Sequence, residues 1–162
     1  PSSGLHTNGY SLARHIVFDK LHLKAASRVS GLDEPIGAEL LRVHRSYLKA
    51  VRPLLDEKLL KGMAHITGGG LLENIPRILP AGTAVAIEKT WPLPPLFSFL
   101  VQAGSVSEAE SYRVFNMGIG MVLVIEPRKL SRVEAVLKGM GEGFFLIGQV
   151  TENQGGPRVR IQ

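Results

Sequence analysis

Residues 63–79 read MAHITGGGLLENIPRIL, and the pattern changes period around three glycines. Met63 to Thr67 has the composition of a short strand, Leu71 to Leu79 that of a helix, and Gly68-Gly69-Gly70 joins them. Pro76 removes a backbone donor and clashes with the preceding turn, so this helix should be kinked or split there. The rest of the chain decides how this strand–glycine–helix unit is built into a domain.

On the N-terminal side, Ser11 to Phe18 has helical spacing, with Leu12 and Ile16 one turn apart after an Asn8-Gly9 turn. Between Ile36 and Leu55, residues Leu40, Tyr47, Leu48, Val51 and Leu55 recur at helical spacing with His44 on the same stripe, which predicts a helix ended or kinked at Pro53. On the C-terminal side, Thr83 to Glu88 alternates as a strand, Pro95 to Ala103 is a helix begun by proline, and Ser107 to Arg113 is a short second one. Met121 to Ile125 has the composition of a buried strand, Arg128 to Met140 that of a helix, Phe144 to Val150 that of a strand, and Arg158 to Gln162 that of a last edge strand. Helices and strands are interspersed, but the last helix lies between strands that need not be parallel. The expectation is an α+β fold, a mixed sheet layered with helices.

With 162 residues and 44% hydrophobic content, the chain matches one domain with its own core, and no repeat or linker divides it. It has no cysteine, and its five histidines are scattered in sequence, so no metal ligands are expected. The longest apolar run, Met121 to Ile125, is far below the roughly 20 residues of a membrane helix, and no signal peptide opens the chain. The reading is a cytoplasmic protein without membrane contact. Pro1-Ser2-Ser3-Gly4 has the character of a loop interior, which suggests a fragment. A net charge of +5 favours anionic ligands, but Arg42, Arg45, Lys49 and Arg52 read as one solvated helical face, and no nucleic-acid motif accompanies them.

Three glycine-bearing segments can carry chemistry. The first, Ser2-Ser3-Gly4-Leu5-His6-Thr7-Asn8-Gly9-Tyr10-Ser11, places hydroxyl, imidazole and amide groups before a helix start, where free N–H groups suit an anion; a polar turn that only caps the helix is the alternative. The second, His65 to Asn74, exposes backbone donors at Gly68, Gly69 and Gly70 but has neither a Walker A lysine nor dinucleotide spacing. The third, Phe115-Asn116-Met117-Gly118-Ile119-Gly120-Met121, precedes a strand, where glycine also serves bulges and close packing. His6 and His65 lie beside these segments and suit phosphate contact or proton transfer. His15, His22 and His44 have no such setting and read as surface or core residues.

In this order, the three segments resemble the C-terminal domain of the aminoimidazole ribonucleotide synthetase (phosphoribosylformylglycinamidine cyclo-ligase) family. The residues that carry the resemblance are Ser2 to Leu12, Ala64 to Leu71 with Glu73-Asn74-Ile75-Pro76-Arg77, and Tyr112 to Met121. Two positions depart from the family pattern: Arg42 to Tyr47, where a Thr-Pro-Thr-like segment is usual, and Ser111, where methionine is common. The resemblance implies a partly ferredoxin-like α+β domain forming one wall of a site completed by a separate N-terminal domain, which holds ATP and magnesium. No cofactor is then expected to bind this portion tightly.

The implied reaction is ATP-dependent closure of formylglycinamidine ribonucleotide to aminoimidazole ribonucleotide in purine biosynthesis, by a homodimeric whole enzyme. Carried onto this chain, the implied catalytic residue is His6. The implied substrate-binding set is Ser3, Gly4, Thr7, Asn8, Gly9, His65, Thr67, Gly68, Gly69, Gly70, Asn74, Asn116, Gly118 and Gly120. Related ATP-using enzymes of the formylglycinamidine synthetase, selenophosphate synthetase and thiamine-phosphate kinase types share the superfamily resemblance, and a non-catalytic anion-binding module is the reading of another class.

Overall fold

The computed structural model describes residues 1–162. Seven α-helices and five strands follow one another as α1 (Tyr10–Arg14), α2 (Ile36–Leu40), α3 (Leu48–Asp56), β1 (Leu60–His65), α4 (Gly70–Asn74), β2 (Thr83–Ile87), α5 (Pro95–Gly104), α6 (Glu108–Val114), β3 (Met121–Ile125), α7 (Leu130–Gly139), β4 (Gly148–Glu152) and β5 (Val159–Ile161). The α+β class and the mixed strand pairing are as expected. No helix is long and apolar enough to cross a membrane.

The strands fall into two ladders. β1 and β3 pair antiparallel, with His65 opposite Met121 and a register irregularity between Leu60 and Gly62. β2 is the centre of the second ladder, antiparallel to β4 and parallel to the edge strand β5. An apolar cleft of about 340 Å³ is walled by residues of both, among them Leu123, Ile125, Val85 and Ile87. Every β3 residue is therefore half-buried, where the composition suggested a fully buried strand.

The main core gathers Ala13 of α1, Ile16 and Val17 just after it, Leu5, Ile66, Leu71, Ile75, Phe97, Leu100 and Phe115. A smaller cluster joins α3 to α7 through Ala50, Leu54, Val133 and Leu137. Burial of such side chains contributes roughly 1.5–3 kcal/mol each and is the main cohesive term.

Four local expectations need amendment. α1 runs on into a π-helical turn, His15–Lys20, which completes the expected helix with looser winding. The helix expected from Ile36 to Leu55 is two helices separated by an irregular segment. That segment is held by tertiary bonds that outcompete the periodicity: the Ser3 hydroxyl donates to the Val43 carbonyl (2.8 Å) and the Tyr47 hydroxyl to the Pro1 carbonyl (3.0 Å). Pro53 neither starts nor stops a helix but sits inside α3, where it removes one backbone donor. β4 begins at Gly148, later than Phe144, because Ile87 sets its register opposite Gly148. Pro76 does split its helix: α4 gives way to a 3₁₀ turn, Ile75–Ile78.

Candidate active site

The three glycine-bearing segments lie side by side, stitched by hydrogen bonds. Ser2 N–H donates to the Gly118 carbonyl (2.7 Å), and Ile66 N–H to that of Gly120 (2.9 Å). The Asn8 side-chain amide donates to the Ile66 carbonyl at 3.1 Å. Asn116, wholly buried, spends its full capacity here: Nδ2 donates to the Gly4 and Leu5 carbonyls (2.8 and 3.1 Å), while Oδ1 accepts from the Ser2 hydroxyl and Gly118 N–H (2.8 and 2.9 Å).

Asn74 does the same for the triple-glycine loop. Its amide donates to the carbonyls of Thr67, Gly68 and Gly70, and its oxygen accepts from the Thr67 hydroxyl at 3.0 Å. Asn74, Asn116 and the Thr67 side chain thus shape the loops from within, and what the loops offer outward is backbone. The N–H groups of Gly68 and Gly69, and of Gly9 and Tyr10 at the start of α1, donate to nothing inside the chain. Gly70 has φ +56°, and a Cβ there would strike the Tyr112 carbonyl, so only glycine allows α4 to approach α6 this closely. At Gly120 a Cβ would overlap the Tyr47 hydroxyl and press on the His6 ring. Thr7 is exposed beside these groups.

His6 is 4% exposed and holds φ +57°, an uncommon conformation for a non-glycine residue. Its Nε2 accepts from Ser3 N–H at 3.1 Å and lies 3.1 Å from the Ser3 hydroxyl. Its ring stacks on His44 with centroids 3.9 Å apart, and His44 Nε2 is 3.1 Å from His65 Nε2. Tyr47 stands edge-on to His6 and His65 at 6.2 and 6.1 Å. The expectation that the histidines are scattered, with His44 on a helix stripe, is therefore corrected: three come together in space, and His44 reaches them from the irregular segment between α2 and α3.

Electrostatics follows from this crowding. Burial, and then the proximity of His44 and His65, pushes His6 down to about 4, so its ring is neutral near pH 7. Burial and His44 also lower His65. In the ligand-free chain each ring is therefore a neutral donor–acceptor near pH 7. Burial raises the Tyr47 phenol to about 12, keeping it protonated. The expected basic helical face also dissolves: Arg45 pairs with Glu142 and covers the Tyr47 ring, Arg42 pairs with the buried Glu39 at 2.7 Å, and Arg52 pairs with Asp56 at 3.2 Å. Sequence reading missed His44, Arg45 and Tyr47 as neighbours of the site; the one signal for them is that Arg42 to Tyr47 departs from the family pattern.

Residues 1–160 match the family described as AIR synthase related protein, C-terminal domain. The chain is 47% identical over 163 residues to the phosphoribosylformylglycinamidine cyclo-ligase of Syntrophotalea carbinolica, covering 99% of this chain and 47% of that protein. It is 43% identical over 155 residues to the enzyme of the same name from Bacillus subtilis, covering 95% of this chain and 45% of that one. The chain thus spans about half the length of the curated relatives it matches. Among solved structures it resembles the E. coli hydrogenase maturation protein HypE, with a TM-score of 0.60 at 20% identity over 99% of this chain and 44% of that one, a likeness of fold alone. The chain belongs to the AIR synthase related family and corresponds to its C-terminal domain.

Proposed function

We propose that this chain is the substrate-site half of an ATP-dependent cyclo-ligase that closes formylglycinamidine ribonucleotide to aminoimidazole ribonucleotide. The observation that carries the reading is the convergence of the three glycine-bearing segments, with free backbone donors at Gly9–Tyr10 and Gly68–Gly69, in a chain 43–47% identical to cyclo-ligases. In this reading the ribonucleotide's phosphate lies against those donors. Ser3, Gly4, Thr7, Asn8, His65 and Thr67 border it, while Asn74, Asn116, Gly118 and Gly120 hold the loops in position.

Ring closure of this class transfers a phosphoryl group from ATP to the amide oxygen. The neighbouring nitrogen then attacks the activated carbon, and the C–O bond breaks to release phosphate with loss of one proton from that nitrogen. Positioning and charge stabilisation supply most of the acceleration. His6, held neutral, accepts a hydrogen bond or the proton from the attacking nitrogen at Nε2, in exchange for its contact with Ser3 N–H. Magnesium requires oxygen ligands, and the one group of three close metal-ligating side chains here is imidazole, so this chain does not fit the metal–ATP site. Nucleotide and magnesium belong to a second domain in this proposal, and dimerisation to the whole enzyme.

The test is ATP-dependent ring closure by the polypeptide that joins this chain to its nucleotide half, compared with the purified 162-residue chain. Turnover by the joined protein and none by the chain alone is expected. Absence of ring closure in the joined protein, or comparable turnover by this chain alone, overturns the reading.

A further inference from the structure

We propose that His6, His44 and His65 form a binding site for a divalent transition-metal ion of the zinc type. The three rings come from three separate segments: the first loop, the irregular stretch between α2 and α3, and the end of β1. Each offers one nitrogen, and these atoms lie within 4.8 Å of one another. In a tetrahedral shell with metal–nitrogen bonds near 2.0–2.1 Å, ligand nitrogens sit about 3.3 Å apart. The His44–His65 pair, at 3.1 Å, is already at that spacing. A contraction of about 1.5 Å at the widest separation closes the set, within reach of rotation about the side-chain torsions.

A second observation points the same way. His6 Nδ1 is fully buried and has no hydrogen-bond partner, and in the tautomer whose Nε2–H donates to the Ser3 hydroxyl, giving up the Ser3 N–H contact, it presents a free lone pair. An orphaned polar atom in a buried side chain is costly, and a missing ion is one of the few things that accounts for it. The surroundings suit a cation. The Ser3 hydroxyl lies against the His6 ring and is itself anchored on the Val43 carbonyl, the kind of outer contact that fixes a ligating imidazole. Tyr47 buttresses two of the rings edge-on. Arg45, a neighbouring positive charge, is paired with Glu142. Burial falls from His6 through His44 to the exposed His65, which leaves the outer side open to a fourth ligand such as water. Three imidazole nitrogens with an open position favour zinc, cobalt, nickel or copper over magnesium. A bound ion takes a His6 lone pair, so metal-loaded and proton-accepting His6 are alternative states of one ring.

The test needs no nucleotide or ribonucleotide, so its outcome is separate from that of the ring-closure reading. The chelator-treated chain is titrated with Zn²⁺ by calorimetry and with Co²⁺ by visible absorption. One equivalent should bind, with the intense d–d bands of four-coordinate cobalt. His44→Ala and His65→Ala should each weaken binding by more than the roughly 10–100-fold that loss of an outer-shell contact produces. A variant lacking the remote His15 and His22 should bind as the parent does. Circular dichroism checks each variant's fold, and His65→Ala, on an exposed ring, serves if His44→Ala fails to fold. Absence of stoichiometric binding to the parent, or binding that survives loss of His65 or depends on His15 and His22, overturns the proposal.

Discussion

The imidazole of His6 lies flat on that of His44, centroids 3.9 Å apart and planes 18° from parallel. Burial, and then the neighbouring imidazoles, disfavour a proton on the His6 ring. The unfolded chain takes up a proton at His6 near pH 6.5, whereas the folded chain resists until about 4. Stability is therefore fully present above about pH 6.5 and is lost as pH falls towards 4; His65, also lowered, acts in the same direction. Denaturation midpoints measured from pH 7.5 to 4.5 should fall on acidification, and more steeply for the parent than for His6→Asn. An NMR titration that places His6 near 6.5 would refute the account.

The family resemblance gives His6 to the substrate rather than to the fold, but its burial gives it both tasks. His6→Asn keeps a residue type that tolerates positive φ and isolates the loss of the ring. Ring closure by the joined protein should drop at least about 100-fold, the ordinary span of a general acid–base contribution. Unfolding free energy should fall by about 1–3 kcal/mol, from the lost packing and the Ser3 bonds. Normal activity per folded molecule would leave His6 a purely structural residue.

Asn116→Ala should be among the most damaging single changes. It leaves the Gly4 and Leu5 carbonyls and Gly118 N–H without their partner at once, in a wholly buried place. At about 1–3 kcal/mol for each uncompensated buried group, a loss of more than about 3 kcal/mol is expected in urea denaturation, less if water enters the gap. A change below about 1 kcal/mol would mean that the first and third segments are held together by other contacts.

Anion binding tests the free donors directly. Crystals soaked in sulfate or phosphate should show an anion between Asn8–Gly9 and Gly68–Gly70, bound by backbone N–H groups. Gly69→Val should abolish it: Gly69 has φ +96°, and a Cβ there meets the Glu73 side chain at 2.5 Å. An anion retained at the same place in Gly69→Val would show that the loop's backbone does not hold it.

Most elements are legible in the amino-acid pattern alone. β3 falls on Met121–Ile125 as its apolar run indicates, β2 ends one residue short of expectation, α5 begins at Pro95, and Pro76 breaks its helix. These are signals set within a few residues by periodicity, proline geometry and β-branched content. The three glycine segments are legible for a different reason: close backbone approach admits no other residue, as Gly70 and Gly120 show. Residues 41–47 mislead because Leu40, Tyr47, Leu48 and Val51 do keep a helical period, while bonds from Ser3 to the Val43 carbonyl and from Tyr47 to that of Pro1 hold the segment in a non-helical course.

The sequence by itself determined the α+β class, the family and the loops that carry free donors, since each rests on local pattern or on residues close along the chain. Only the tertiary structure decided that Asn74 and Asn116 face inward as loop supports, that the strands form two ladders about an apolar cleft, and that His44 joins His6 and His65. Asn74 finds its partners 4 to 7 positions away, but the other facts depend on distant groups meeting in space, as His44 meets His65 across 21 positions and Asn116 meets Gly4 across 112. Spacing along a chain carries no record of such meetings; packing and the satisfaction of buried polar groups create them.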